Sequence, residues 1–87
     1  MKTKPAEKKS IPYGKISSTV ELGQLVRRRR KESGLTQADA AGLVGVGPRF
    51  LGELERGKPT LELGKVLQAL ERLGLEIAVV RRQGGGS

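Results

Sequence analysis

The chain has 87 residues, 17 of them Lys or Arg against 9 Asp or Glu, for a net charge of +8, and it contains neither Cys nor His. That length holds one small domain, of a size that gains stability from a partner. Without Cys or His there are no disulfide staples, no thiolate or imidazole metal ligands and no His acid–base catalyst, so no metal, no cofactor and no enzymatic chemistry are expected.

The surplus of positive charge calls for an anionic partner, nucleic acid first and an anionic membrane surface second. No apolar run is long enough to span a bilayer. The basic N-terminus has no apolar stretch behind it of the kind a secretory signal carries, so the expected location is the cytoplasm.

Residues 1–17 are rich in Lys, Pro, Ser and Gly and show no apolar periodicity, which reads as a flexible basic arm. Two roles stay open for it. It is either a plain solvated tail or an arm touching phosphates through Lys2, Lys4, Lys8, Lys9 and Lys15.

The domain proper is expected over residues 18–74. Ser18-Thr19-Val20-Glu21 has capping-box spacing, so a first helix should start at Ser18, present Leu22, Leu25 and Val26 inward, and stop at Gly34. The run Arg27-Arg28-Arg29-Arg30-Lys31 covers more than one turn of that helix, so one member must point toward the core. A second helix starts at Thr36, again with capping spacing to Asp39, carries Ala38, Ala41 and Val44 inward, and ends at Gly45.

Pro48 suits the first turn of a third helix, where its missing N–H costs nothing. Leu51 and Leu54 face the core and Gly57 closes it. A fourth helix should run from Thr60 to about Leu73, with Leu63, Val66, Leu67 and Leu70 as its stripe. Gly64 within it suggests a close neighbour.

Residues 75–82, beginning Leu75-Glu76-Ile77-Ala78-Val79-Val80-Arg81, are β-branched and read as a lone strand. Its unpaired backbone asks for a second strand, most economically from another copy of the chain, which makes Leu75, Ile77 and Val79 candidate dimerisation residues. Residues 83–87 are a Gly-rich tail expected to be disordered.

Two short helices joined by a glycine turn hold the second of them off the body of a domain, where its first residues can reach base edges in the DNA major groove. Arg49, in that first turn, matches the O6 and N7 acceptors of guanine, with a phosphate contact or a plain solvated charge as the alternative. Glu53, one turn on, accepts from cytosine, orients Arg49, or is simply solvated. Phe50 is either a core residue or a contact to a thymine methyl. Gly47 permits close backbone approach, and Arg56 and Lys58, with Arg28 as a further candidate, are expected on phosphates. Thr36 caps its helix and could add a hydroxyl contact, and Gln37 sits where helix N–H groups attract phosphate.

Arg30, Gly34-Leu35-Thr36-Gln37, Ala41, Gly45-Val46, Leu51, Leu54-Glu55, Gly57-Lys58, Leu70 and Leu73-Gly74-Leu75 together resemble the Xre/Cro-type helix-turn-helix regulators. The segment LELGKVLQALERLGLEI is similar to the HipB-like antitoxin branch of that family. The resemblance implies a mainly all-α, lambda-repressor-like domain of four to five helices whose C-terminal β-strand pairs across a homodimer.

It also implies a structural ion pair between Arg30 and Glu55, a phosphate contact for Gln37, and binding of double-stranded DNA at a palindromic operator. The implied activity is that of an autoregulating, nucleoid-associated repressor that neutralises a HipA-like kinase toxin. A stand-alone Xre-family regulator and a basic protein-interaction module are the alternatives. The chain departs from the family pattern at Ala40, where relatives carry a larger Leu, and at Pro48, which replaces a side chain that often reaches DNA.

Overall fold

The computed structural model describes residues 12–82, which hold four α-helices and, among these residues, no strand. They are α1 (Thr19–Glu32), α2 (Gln37–Val44), α3 (Pro48–Arg56) and α4 (Leu63–Arg72). Among the described residues no helix is long and apolar enough to cross a membrane. The Lys2, Lys4, Lys8 and Lys9 arm and the 83–87 tail lie outside the described residues.

Local chemistry sets the first three helix starts. Ser18 Oγ accepts from the Glu21 N–H at 3.1 Å, and Thr36 Oγ1 accepts from the Asp39 N–H at 3.1 Å. The first box closes one residue further back than expected. The Glu21 carboxylate accepts from the Ser17 N–H at 2.6 Å and the Ser17 hydroxyl at 3.0 Å. Pro48 opens α3 behind Gly47, and Gly45 (φ 80°) and Gly57 (φ 86°) end α2 and α3 in the left-handed conformation that glycine adopts without strain. Helix α4 starts at Leu63 rather than Thr60, because Leu61 packs partly into the core from non-helical backbone ahead of it.

The core gathers Val26 of α1, Ala40, Ala41 and Val44 of α2, Leu51 and Leu54 of α3, and Val66, Ala69, Leu70 and Leu73 around α4. Two expected stripes are rotated. In α2 the buried position is Ala40, and Ala38 is exposed. In α4 Ala69 takes the inward place, while Leu63 and Leu67 are 65% and 44% exposed. Both swaps bring an alanine to a helix–helix contact, where a small side chain lets α2 and α4 approach each other.

Orphan carbonyls at the helix ends are met by side chains from other helices. Thr19 Oγ1 donates to the Gly57 carbonyl at 2.8 Å, Arg29 Nε to the Leu73 carbonyl at 2.7 Å, and Gln68 Nε2 to the Val44 carbonyl at 2.9 Å. Ahead of α1, the Arg28 guanidinium lies 4.0 Å from the centre of the Tyr13 ring, so residues 12–17 run along α1.

Within the helices, a close backbone approach falls at Gly23, not at Gly64. A Cβ on Gly23 would run into the backbone carbonyls of Leu54 and Glu55, the latter at 2.6 Å, whereas one on Gly64 would meet only the Glu62 carboxylate at 3.7 Å. Backbone cannot step aside, so Gly23→Ala should destabilise the domain by about 1–3 kcal/mol despite its better helix propensity. Gly64→Ala should stabilise it by less than about 1 kcal/mol. Urea unfolding of the two variants beside wild type measures both signs.

Candidate nucleic-acid interface

Helices α2 and α3, joined by Gly45-Val46-Gly47, form the helix–turn–helix unit, and its orientation on the body is set by one buried ion pair. Arg30 and Glu55 are each 8% exposed. Arg30 Nε donates to Glu55 Oε2 at 2.6 Å and Arg30 Nη2 to Glu55 Oε1 at 3.0 Å, a bidentate fork. The third arm, Nη1, donates to the Leu35 carbonyl at 2.7 Å in the α1–α2 turn.

Gln37 Nε2 donates to Glu55 Oε1 at 3.0 Å. Four points therefore meet at one carboxylate–guanidinium pair: the last turn of α1, the turn before α2, the start of α2 and the end of α3. Arg30 is the member of the basic run that turns inward.

Burial pushes the Glu55 carboxyl pKa up. Hydrogen bonds from Arg30 and Gln37, together with the charges of Arg30 and Arg27, outweigh it and leave the carboxyl below its ordinary 4.5. The hydrogen bond to Glu55 raises the Arg30 pKa above its ordinary value, so the pair is ionised on both sides.

The remaining candidate residues fall on the outer side of this unit. Thr36, Gln37, Gly47, Pro48, Arg49, Arg56 and Lys58 are all exposed. Thr36 spends its hydroxyl on the cap, and Gln37, bonded to Glu55, keeps a second amide N–H. The Arg49 side chain is 90% exposed, and its Nε lies 3.3 Å from Glu53 Oε2. Lys58 Nζ reaches the same oxygen at 3.4 Å.

Glu53 is thus not a plain solvated position, since its side chain is 17% exposed and its Oε2 is shared by two cations. Partial burial raises the Glu53 pKa, but the Lys58 and Arg49 hydrogen bonds bring it below 4.5. Phe50 is half-buried against the core, with Lys65 Nζ 5.9 Å from its ring centre, which favours the packing role over a base contact.

Arg28 does not belong to this surface as a loose cation, because it stacks on Tyr13 and pairs with Glu32 at 3.3 Å. The sequence missed one participant, Gly52, and one contact, that of Lys58 with Glu53. Gly52 is buried on α3 where Gln37 Oε1 and Arg56 Nη1 each come within 3.5 Å of the position its Cβ would take. Lys58 shares Glu53, a contact made across the Gly57 turn at a spacing that helix periodicity does not flag. A glycine inside a helical pattern was the available signal for the first.

The ion pair makes two measurable statements. Glu55→Ala leaves Arg30 charged and unpaired in a buried site and should cost about 3–5 kcal/mol, whereas the double change Arg30→Met with Glu55→Leu should recover most of that loss. Denaturant unfolding of the double-mutant cycle reads both.

The second statement concerns pH. The folded-state pKa of Glu55 is lowered, so its contribution is complete above the ordinary carboxylate value of 4.5 and is lost as pH falls below it. Wild type should therefore weaken more steeply than the Met/Leu double variant when unfolding is followed from neutral pH into that acid range.

A helix-turn-helix domain family model matches residues 21–83. The chain is 48% identical over 66 residues to an uncharacterised HTH-type transcriptional regulator, y4mF, of Sinorhizobium fredii, a match spanning 76% of this chain and 87% of that protein. Among solved structures, the restriction-modification controller protein C.AhdI of Aeromonas hydrophila is similar with a TM-score of 0.59 at 33% identity, over 67% of this chain and 84% of its own. A chain of the HipA-HipB-O2-O3 complex is similar with a TM-score of 0.72 over 82% of this chain and all of that one, and at 21% identity that likeness speaks for the fold alone. Matched over most of its length and built around the α2–turn–α3 unit, the chain belongs to the helix-turn-helix domain family.

Proposed function

We propose that the chain is a sequence-specific DNA-binding transcriptional repressor that acts as a homodimer on a near-palindromic operator. One observation carries the reading. The start of α3, Gly47-Pro48-Arg49, is exposed at the head of a helix whose far end is clamped by Arg30, Glu55 and Gln37. A rigid helix that presents an arginine from its first turn suits insertion into a major groove.

Arg49 reads a guanine, Gln37 and the α2 N-terminus hold a phosphate, and Arg56 and Lys58 bind the flanking backbone. The similarity to y4mF, an HTH-type transcriptional regulator, supports this role.

The homodimer rests on residues 75–82, which form neither helix nor strand in the single chain. Leu75 is half-buried on the core, but Ile77, Val79 and Val80 are 44%, 93% and 80% exposed. Apolar side chains in that state favour a partner, and pairing this segment with its copy in an antiparallel ribbon covers them and satisfies its backbone. Two α3 helices then address grooves about 34–36 Å apart.

Two biological settings fit. The segment from Leu61 to Ile77 resembles HipB-like antitoxins, which makes the chain an autoregulating antitoxin that also binds a HipA-like kinase. The likeness to C.AhdI, at the higher identity of 33%, favours a stand-alone regulator with no kinase partner. An adjacent kinase-like reading frame whose product co-purifies with the chain decides for the first setting.

DNA binding is checked by gel shift on the promoter segment upstream of the reading frame. Arg49→Ala should cost about 1–3 kcal/mol and relax preference at one guanine position. Arg56→Ala should weaken all sequences alike and flatten the log-affinity against log-salt slope by about 0.9. Equal, unselective losses from both variants would overturn the assignment of Arg49.

A further inference from the structure

Glu53 sits on the side of α3 that this reading turns toward a polyanion, where a bare carboxylate repels phosphate. In the structure it is not bare. It accepts from Arg49 Nε at 3.3 Å and from Lys58 Nζ at 3.4 Å through the same oxygen, and its side chain is 17% exposed against 90% for Arg49 and 45% for Lys58. The acid lies at the base of the trio and the cations lie outside it.

Two consequences follow from donor geometry and charge. An arginine has five N–H donors in a planar fork. The contact to Glu53 uses Nε, on the inner edge of the guanidinium, and leaves both Nη groups, the pair that meets guanine O6 and N7. A guanidinium held by its Nε keeps its plane and loses less freedom when a base arrives. The trio also carries one net positive charge instead of two, so it draws less on the sequence-independent attraction to phosphate.

Resting on the reading of α3 as the groove-entering helix, we propose that Glu53 is a specificity-determining positioning residue. It holds the Arg49 guanidinium by its inner edge for a guanine and, by sharing its charge with Arg49 and Lys58, suppresses binding to non-cognate DNA. The residue contributes selectivity rather than affinity.

The test compares wild type, Glu53→Gln and Glu53→Asp on the tightest duplex that the wild-type protein selects from a randomised pool and on the unselected pool itself. Glu53→Gln releases both cations. It should bind the unselected pool several-fold more tightly at low salt, steepen the salt slope by about 0.9 for each cation that reaches phosphate, and lower the ratio of selected to unselected affinity. Glu53→Asp keeps the charge on a side chain one methylene shorter. It should leave the salt slope near wild type while flattening the preference for guanine at one position, an effect that a purely structural role would not produce.

Thermal melting of each variant confirms that it is folded. If Glu53→Gln leaves pool affinity, salt slope and base preference unchanged, the role assigned to Glu53 is wrong while the DNA reading stands. If wild type selects no duplex from the pool, the DNA reading itself fails before Glu53 is altered.

Discussion

The arrangement of this small domain depends on one buried ion pair, Arg30 with Glu55. A bidentate guanidinium–carboxylate contact tolerates little change in angle, and here it joins the last turn of α1 to the last turn of α3 while its remaining donors and acceptors reach Leu35 and Gln37. Such a pair adds little net stability, because removing two charges from water costs about as much as their attraction returns. Its effect is geometric. Apolar packing among core residues such as Val26 and Leu51 brings helices together but allows sliding, whereas a fork supported by two further hydrogen bonds sets register. Gly23 makes the pair reachable by letting the α1 backbone touch the α3 carbonyls directly.

The arginine run is divided by this architecture between structure and surface. Arg28 covers Tyr13, Arg29 holds the Leu73 carbonyl at the end of α4, and Arg30 enters the core pair, so three consecutive cations fasten α1 to three different parts of the chain. Arg27 and Lys31 stay exposed. Counting basic residues therefore overstates what a polyanion can meet. On α3 the same economy recurs in milder form, where Glu53 engages Arg49 and Lys58 at the surface. Charge in this molecule is placed by local partners before it contributes to any long-range field.

Much of the candidate site was legible because its parts are local. Caps at Ser18 and Thr36, the proline at the head of α3 and the glycines at 45 and 57 act through hydrogen bonds and backbone angles within a few residues. The exposed positions of Arg49 and Arg56 follow from the period of α3 once Leu51 and Leu54 are assigned inward. The choice of Arg30 from five adjacent basic residues came from family resemblance, since helical rotation alone demands only that one of them turn in.

The order of the helices, their ends apart from the start of α4, their glycine turns, the basic character of the surface and the exposed first turn of α3 were determined by the sequence itself. The interactions behind them span at most a turn or two of chain, and residue type settles them. Only the tertiary structure decided that Ala40 and Ala69 face inward in place of Ala38 and Leu67, that Gly23 rather than Gly64 marks the close contact, and that Glu53 serves two cations. Those outcomes depend on how far apart two helices come to rest and at what rotation. That is a joint property of both surfaces, which no periodicity within one helix encodes.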